Sequence, residues 1–303
     1  MADPQRRRRT PLIWPLLALP GTVWLAVLFV APGYVVLAIL FGQVDPILRQ
    51  PVPVWNPANW DVSQIQYVLQ HIVGASGFFG PALLRTAIYV GLASVMCLVI
   101  AYPVSYYTAR CAGRGRGVLL ALLISPFWIS YMMRMLAWVN LLQNDGLVNR
   151  TLSLDGLLDV HVNWLAGHSS TVVLGLVYGY VPYMILPLFA GLDRIPRATL
   201  EAARDLGASR LEAFRRVTWP LSRQAVVMSM LLTSLPMLGD YFTNDLLSAS
   251  PQTAMVGNLI NDSVLTPGLT GQAGAFVLLV LLVSMVPMLI YVRTSRIGEE
   301  VRS

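Results

Sequence analysis

The residues able to do chemistry in this sequence are few, and several lie inside long apolar runs. Asp240 and Asp245 sit in the otherwise uncharged stretch 224–247, and Arg134 interrupts the stretch 117–144. A charge at membrane depth is costly and normally faces a bundle interior, a partner charge or a water-filled route. The two carboxylates are therefore candidates for holding a cation, with Asp245 alternatively marking the outer water interface. On one continuous helix Asp240 and Asn244 share a face, while Tyr241 and Asp245 share the next. Pro236 and Gly239 loosen the backbone just before them. Tyr241, Phe242, Tyr178 and Trp138 offer ring faces to an ammonium group, or simply pack. Counted along straight helices, Arg134 and Asp240 both lie roughly 24 Å from the inner end of their spans, and Tyr178 about 12 Å below the outer end of its own. An arginine on a cation route needs neutralising, so Arg134 is expected to pair with either Asp240 or Asp245.

Other chemistries find no support. All 21 basic residues are arginine, which removes both the GK[ST] phosphate loop and Schiff-base lysine chemistry. No nucleophile stands near a base in any familiar spacing. His71, His161 and His168 are scattered without metal-ligand spacing, and Cys97 and Cys111 are not a CxxC pair. Gly113-x-Gly115-x-Gly117 lacks a preceding strand and reads as a flexible basic turn. Gly175-xxx-Gly179 permits close helix approach. The expectation is a chain that is not an enzyme and carries no cofactor or metal. If ATP is used, its hydrolysis belongs to another chain.

The elements that must position these residues follow from composition. Hydrophobic residues make up 56% of the 303 and charged residues 12%, about half the usual charged share. So few charges cannot cover a soluble surface, which implies an all-α integral membrane protein. A bilayer core takes about 20 apolar helical residues. The uncharged runs place six transmembrane helices at 22–41, 86–108, 117–144, 170–192, 224–247 and 273–292. Pro15, Pro20 and Gly21 make 1–21 a basic tail with an interfacial lead-in, and the apolar run reads as an uncleaved signal-anchor. Residues 42–81 form an outer loop, 82–293 a five-helix core, and 294–303 a tail. Arginine orients the bundle through the positive-inside rule. With both termini cytoplasmic, only Arg49 and Arg150 fall in outer loops, while the arginines of 6–9, 110–116, 193–223 and the C-terminal tail lie inside. Trp55, Trp60 and Trp164 in the two long outer loops serve as interfacial anchors or as a docking surface for an external partner.

The inner loop 193–223 has the richest local pattern. Pro196 suits a first helical position and Gly207 a residue just past a helix end. Ser209 and Glu212 have capping-box spacing for a second helix, which Pro220 is expected to stop. Glu212 is placed to pair with Arg215 and Arg216. Leu200, Ala203, Leu206, Leu211 and Phe214 give the pair an apolar stripe that needs a partner.

Glu201-Ala202-Ala203, three residues, Gly207, nine residues and then Val217-Thr218-Trp219-Pro220 resembles the EAA loop of ABC importer permeases. That pattern reads EAA, three residues, G, nine residues, I-x-L-P; Trp219 departs from it where leucine is usual. Ser125-Pro126-Phe127-Trp128 with Arg134, Trp138 and Asn144-Asp145-Gly146 is similar to the third span of spermidine/putrescine permeases. Val177-Tyr178-Gly179-Tyr180-Val181-Pro182 with Leu186-Pro187 resembles their fourth span, and Met255-Val256-Gly257-Asn258 the segment after their fifth. The resemblance implies a type I ABC importer permease bundle in a bacterial inner membrane, with 193–223 as the coupling helix. Glu201, Ala202, Ala203, Gly207, Leu211, Phe214 and Pro220 would then dock on the ATPase. It also implies carboxylates at Asp240 and Asp245, and polyamine as the substrate. The implied partners are a second homologous permease chain, an ATP-binding subunit dimer carrying ATP and Mg, an extracytoplasmic solute-binding protein and membrane lipid; nucleic acid is not expected. Related permeases carry iron, aminoethylphosphonate or opines, and a secondary transporter without ATPase is the rival from another class.

Overall fold

The computed structural model describes residues 13–73, 77, 79–153 and 162–300; the arginines of 6–9, His161 and Arg302 lie outside them. Helix α1 (Ile13–Leu40) leads into a short antiparallel hairpin, β1 (Gln43–Val44) and β2 (Pro51–Val52), then α2 (Ser63–Val73) and α3 (Gly80–Arg110). Next come α4 (Arg116–Ile124), α5 (Tyr131–Leu142), α6 (Leu147–Leu152) and α7 (Ser169–Asp193). The remainder is α8 (Arg197–Asp205), α9 (Arg210–Ala213), α10 (Trp219–Leu238), α11 (Phe242–Leu247), α12 (Val256–Leu265) and α13 (Thr270–Glu300).

Among the described residues, five helical stretches are long and apolar enough to cross a bilayer: Leu16–Leu40, Gly80–Arg110, Ser169–Asp193, Arg210–Leu238 and Thr270–Arg293. A sixth span arises when Gly113–Trp128 and Tyr131–Leu142, bent by 86°, count as one. The all-α, six-span class therefore holds, with three local corrections. First, α1 starts at Ile13 with Pro20 inside it, so the helix begins within the expected interfacial lead-in and not at residue 22. A proline in an apolar helix is tolerated when local adjustment satisfies the freed carbonyl.

Second, the third span is not straight. Pro126 enters a 3-10 turn, Ser125–Trp128, after which Ile129 is extended at φ −97° and ψ 132°. Ser130 then caps α5 by accepting the Met133 N–H at 3.3 Å. A residue without an N–H followed by a capping serine ends one helix and starts another. Depth counted along a straight rod does not apply to Arg134. Third, the fifth span ends at Leu238 and resumes as α11. Past the break, Tyr241 and Asp245 keep their helical relation, the Asp245 N–H donating to Tyr241 O at 3.0 Å, while Asp240 stands ahead of α11 and is not part of its face.

The chain divides into two compact units. One comprises the described residues up to Tyr67 with Ser263–Ala275. Here Trp60 stacks on Phe41 at 4.5 Å and donates from Nε1 to Val54 O at 2.9 Å. Trp55 receives the Tyr34 hydroxyl on its carbonyl oxygen. These tryptophans tie the loop to the end of α1.

The other unit, Val68–Asp262 with Phe276–Ser303, is built around α3, α7 and α10. Small buried residues on α3, Ala93, Cys97 and Ala101, meet Leu176, Met184, Leu188 and Leu192 of α7 in one core. Small side chains let helices approach closely where burial from water supplies no drive. Hydroxyls join the three helices: Ser105 Oγ donates to Ile185 O at 3.0 Å, and Tyr102 shares a hydrogen bond with Ser222 at 2.9 Å. Trp164 belongs to this unit, donating to Asn149 Oδ1 at 3.0 Å.

Candidate functional site

The break between α10 and α11 carries the first candidate site. Gly239 closes α10 and Asp240, 5% exposed, opens the next turn. Its Oδ1 accepts the Thr243 N–H at 3.1 Å, as a helix-capping aspartate does. Its Oδ2 accepts the Thr243 hydroxyl at 2.7 Å and the Tyr131 hydroxyl at 2.6 Å. Three hydrogen bonds converge on this one carboxyl group. Two broken spans are thus clasped through one carboxylate.

The expected ion pair is not made. Arg134 is 4% exposed, yet among the described residues it bridges to neither Asp240 nor Asp245, and its Nε and Nη1 have no hydrogen-bond partner. Its guanidinium carbon lies 5.4 Å from the Tyr131 ring centroid and 5.9 Å from that of Phe127. The bend at 125–130 redirects α5, so the ring of Tyr131 occupies the place of a direct pair. Arginine and aspartate address the same tyrosine from ring and hydroxyl.

Tyr131 and Thr243 stand in no motif of the sequence, and Tyr180 enters there only within Val177–Pro182. The one available signal was Gly175-xxx-Gly179. A Cβ at Gly179 would sit 2.6 Å from Tyr131 Cε2, and one at Gly175 would sit 2.7 Å from Thr243 Cγ2. The two glycines make the groove on α7 that seats both partners of Asp240. Tyr180 lies 5.6 Å from Tyr131, ring to ring.

Asp245 differs in its surroundings. It is exposed and accepts the Asn258 amide at 2.6 Å. Asn258 also donates to Tyr241 O at 3.2 Å and takes the Met255 N–H at 2.8 Å. The Met255–Asn258 segment therefore wraps the broken end of the span, and a Cβ at Gly257 would meet Asp240 O at 2.6 Å. Tyr241 and Phe242 stack at 4.2 Å. Trp138 and Tyr178 meet edge-on at 5.3 Å. Asn244 is buried and accepts the Thr253 hydroxyl at 2.6 Å, a structural contact.

The second candidate site is the loop 193–223. Pro196 lies one residue before α8, as its cap. Gly207 has φ +86°, and the Ala208 N–H reaches back to Ala203 O at 3.0 Å to close the α8 end. Ser209 and Glu212 form the reciprocal capping box. The Ser209 N–H, then its hydroxyl, then Arg216 hold the Glu212 carboxyl below the ordinary glutamate range. Arg216 stands 4.0 Å from Glu212; the companion pair with Arg215 is not formed among the described residues.

Pro220 does not stop the second helix. Phe214–Thr218 form a π turn in which the Trp219 N–H reaches back five residues to Phe214 O, and α10 follows directly. The wider turn absorbs the donor that proline lacks. The apolar stripe is also divided. Phe214 packs inward on Tyr102 and Tyr106 at 6.0 and 5.8 Å, and Ala203 is half-buried. Leu206 and Leu211 stay 89% and 66% exposed beside Glu201 and Ala202.

A family described as the binding-protein-dependent transport system inner membrane component matches residues 101–296. The chain is 32% identical over 206 residues to the spermidine/putrescine transport system permease protein PotB of Escherichia coli (strain K12), covering 68% of this chain and 74% of that protein. It is 34% identical over 175 residues to PotB of Haemophilus influenzae, covering 58% and 60%. The inner membrane ABC transporter permease protein YdcU of Escherichia coli (strain K12) shares 28% over 235 residues, covering 74% and 68%. Among solved structures, one of a bacterial alginate ABC transporter, crystallised with an alginate pentasaccharide-bound periplasmic protein, superposes with a TM-score of 0.66 over 94% of each chain at 18% identity. That last likeness is one of fold.

Proposed function

Because the chain belongs to the family of binding-protein-dependent transport system inner membrane components, the permeases of ABC importers, we propose that it is the membrane subunit through which polyamines enter the cell. In this reading both termini face the cytoplasm. A solute-binding protein delivers substrate outside, and a second permease chain completes the passage. ATP, with Mg, is hydrolysed on separate subunits that dock on 193–223. Leu206 and Leu211, exposed between well-formed caps, supply the apolar contact for that docking.

The observation that carries the polyamine reading is the unequal state of the two carboxylates. Asp240 is filled by Tyr131 and Thr243 and holds the broken spans together. Asp245 is exposed, held only from one side by Asn258, with the Tyr241–Phe242 ring pair on the same broken end. An ammonium leaving water needs an anionic or π partner, and Asp245 offers the carboxylate that is not already consumed. Polyamine uptake into proteoliposomes of the complete transporter tests this. Asp245→Asn should lower uptake about tenfold at normal complex yield, the share of one desolvated charged contact. Asp240→Asn should lower complex yield. Normal uptake and normal yield in both variants would overturn the assignment.

One observation favours a second substrate class. The buried, unpartnered Nε and Nη1 of Arg134 would, once uncovered by movement of the broken span, suit a solute bearing a carboxylate or phosphonate beside its amine, such as an opine or aminoethylphosphonate. Uptake of aminoethylphosphonate without uptake of putrescine would select it.

A further inference from the structure

At the arginine-rich end of the bundle, a cavity of about 510 Å³ opens between the C-terminal part of α7, the first turns of α10 and the later part of α13. Its wall has two chemistries. Pro187, Leu221 and Met228 make one side apolar, and Arg194, Gln224 and Tyr291 contribute polar groups. Gly191 and Ala225 also line it, and there the two helices approach so closely that a Cβ on Gly191 would collide with that of Ala225. Arg194 directly follows the apolar stretch Ser169–Asp193, and Tyr291 lies two residues before the end of Thr270–Arg293. The cavity therefore sits where both apolar stretches end, at one membrane face.

Arg194 enters no ion pair among the described residues; the neighbouring Asp193 bridges Arg116 at 3.4 Å. A cationic side chain against a half-apolar hollow at a membrane face fits an amphiphile with an anionic head. Free phosphate would satisfy the guanidinium but leave Leu221 and Met228, 41% and 44% exposed, without contact. We propose that this cavity holds an anionic phospholipid of the cytoplasmic leaflet. Its phosphate would lie at Arg194, and an acyl chain would run along Leu221 and Met228. Such a lipid fills the seam between α7 and α10, where the two ends of the loop 193–223 supply Arg194 and Leu221, without taking part in substrate passage.

The test is native mass spectrometry of the transporter purified from phosphatidylcholine vesicles doped with cardiolipin or phosphatidylglycerol. The native chain should retain the anionic lipid, and Arg194→Gln should retain it about fivefold less, the share of one arginine near an anionic surface. Arg114→Gln, in the turn between α3 and α4, should match the native chain. Met228→Trp, which fills the apolar side and leaves the charge untouched, should also reduce retention. Equal retention by Arg194→Gln and Arg114→Gln would overturn the proposal, as would indifference to Met228→Trp or displacement of the lipid by inorganic phosphate. Loss of the accompanying ATP-binding chain from Arg194→Gln, with lipid retention intact, would assign this arginine to a subunit contact and equally reject the lipid.

Discussion

Gly207 and Asp240 each stand where one helix ends and another begins, and they do so by different means. At Gly207 every partner is a near neighbour. The residue takes φ +86°, Ala208 closes on Ala203, and Ser209 and Glu212 cap each other. At Asp240 only Thr243 is near. Tyr131 comes from 109 residues away, and the groove that seats it is cut by glycines on α7. The loop is built from local geometry and keeps Leu206 and Leu211 outward. The clasp is built from distant segments and keeps its charges inward. A site for another protein can be written locally, whereas a polar centre inside a bilayer requires several helices to converge on it.

Substitution at the clasp gives the sharpest break with the loop. Asp240→Ala should cost about 3 kcal/mol, since removing one member of a buried charged network orphans the others. Thermal denaturation in detergent and the yield of assembled complex would read this. Stability within about 1 kcal/mol of native would show that Tyr131 and Thr243 do not depend on the carboxylate. Gly179→Val comes next, at about 2 kcal/mol, because its Cβ would overlap Tyr131 and overpacking costs of this size are usual. A variant pairing Gly179→Val with Tyr131→Ala should recover part of the loss; no recovery would separate the groove from the clasp.

Gly207→Val should cost about 1 kcal/mol locally, as a β-branched residue is forced to φ +86°. Its visible effect should be loss of the co-purifying ATP-binding chain while the spans stay inserted. Unchanged association and transport would detach the loop from coupling. The smallest effect belongs to Glu212. Its carboxyl is held below the ordinary range, so its contribution is present above the unfolded value and fades as pH falls through the lower folded value. Hydrogen exchange at the Ser209 and Glu212 amides should speed up as pH drops towards that range, relative to Glu212→Gln. An identical pH response in the two proteins would remove the carboxylate from the cap.

The contrast also explains what was legible beforehand. Ser209 with Glu212 and the glycine at 207 could be read directly, because a capping box and a left-handed residue have their causes within a few positions. The six apolar stretches could be read because about 20 uncharged residues have few other fates. The break at Pro126 was present in the residues, but proline inside an apolar run serves both straight and broken spans. Only the 86° turn shows which applies. Pro220 illustrates the converse. It looked like a stop, and a π turn over Phe214–Thr218 carried the helix through it.

Sequence alone determined the membrane class, the number of apolar stretches, the arginine asymmetry and the caps of the loop 193–223. Each of these follows from composition or from neighbours along the chain. Tertiary structure alone decided that Asp240 is consumed and Asp245 exposed, and that Arg134 faces the Tyr131 ring instead of a carboxylate. Both aspartates lie in the same 24-residue apolar stretch and look alike in sequence. Their difference arises because charges inside a low-dielectric bundle are defined by whichever distant groups the folded helices bring to them.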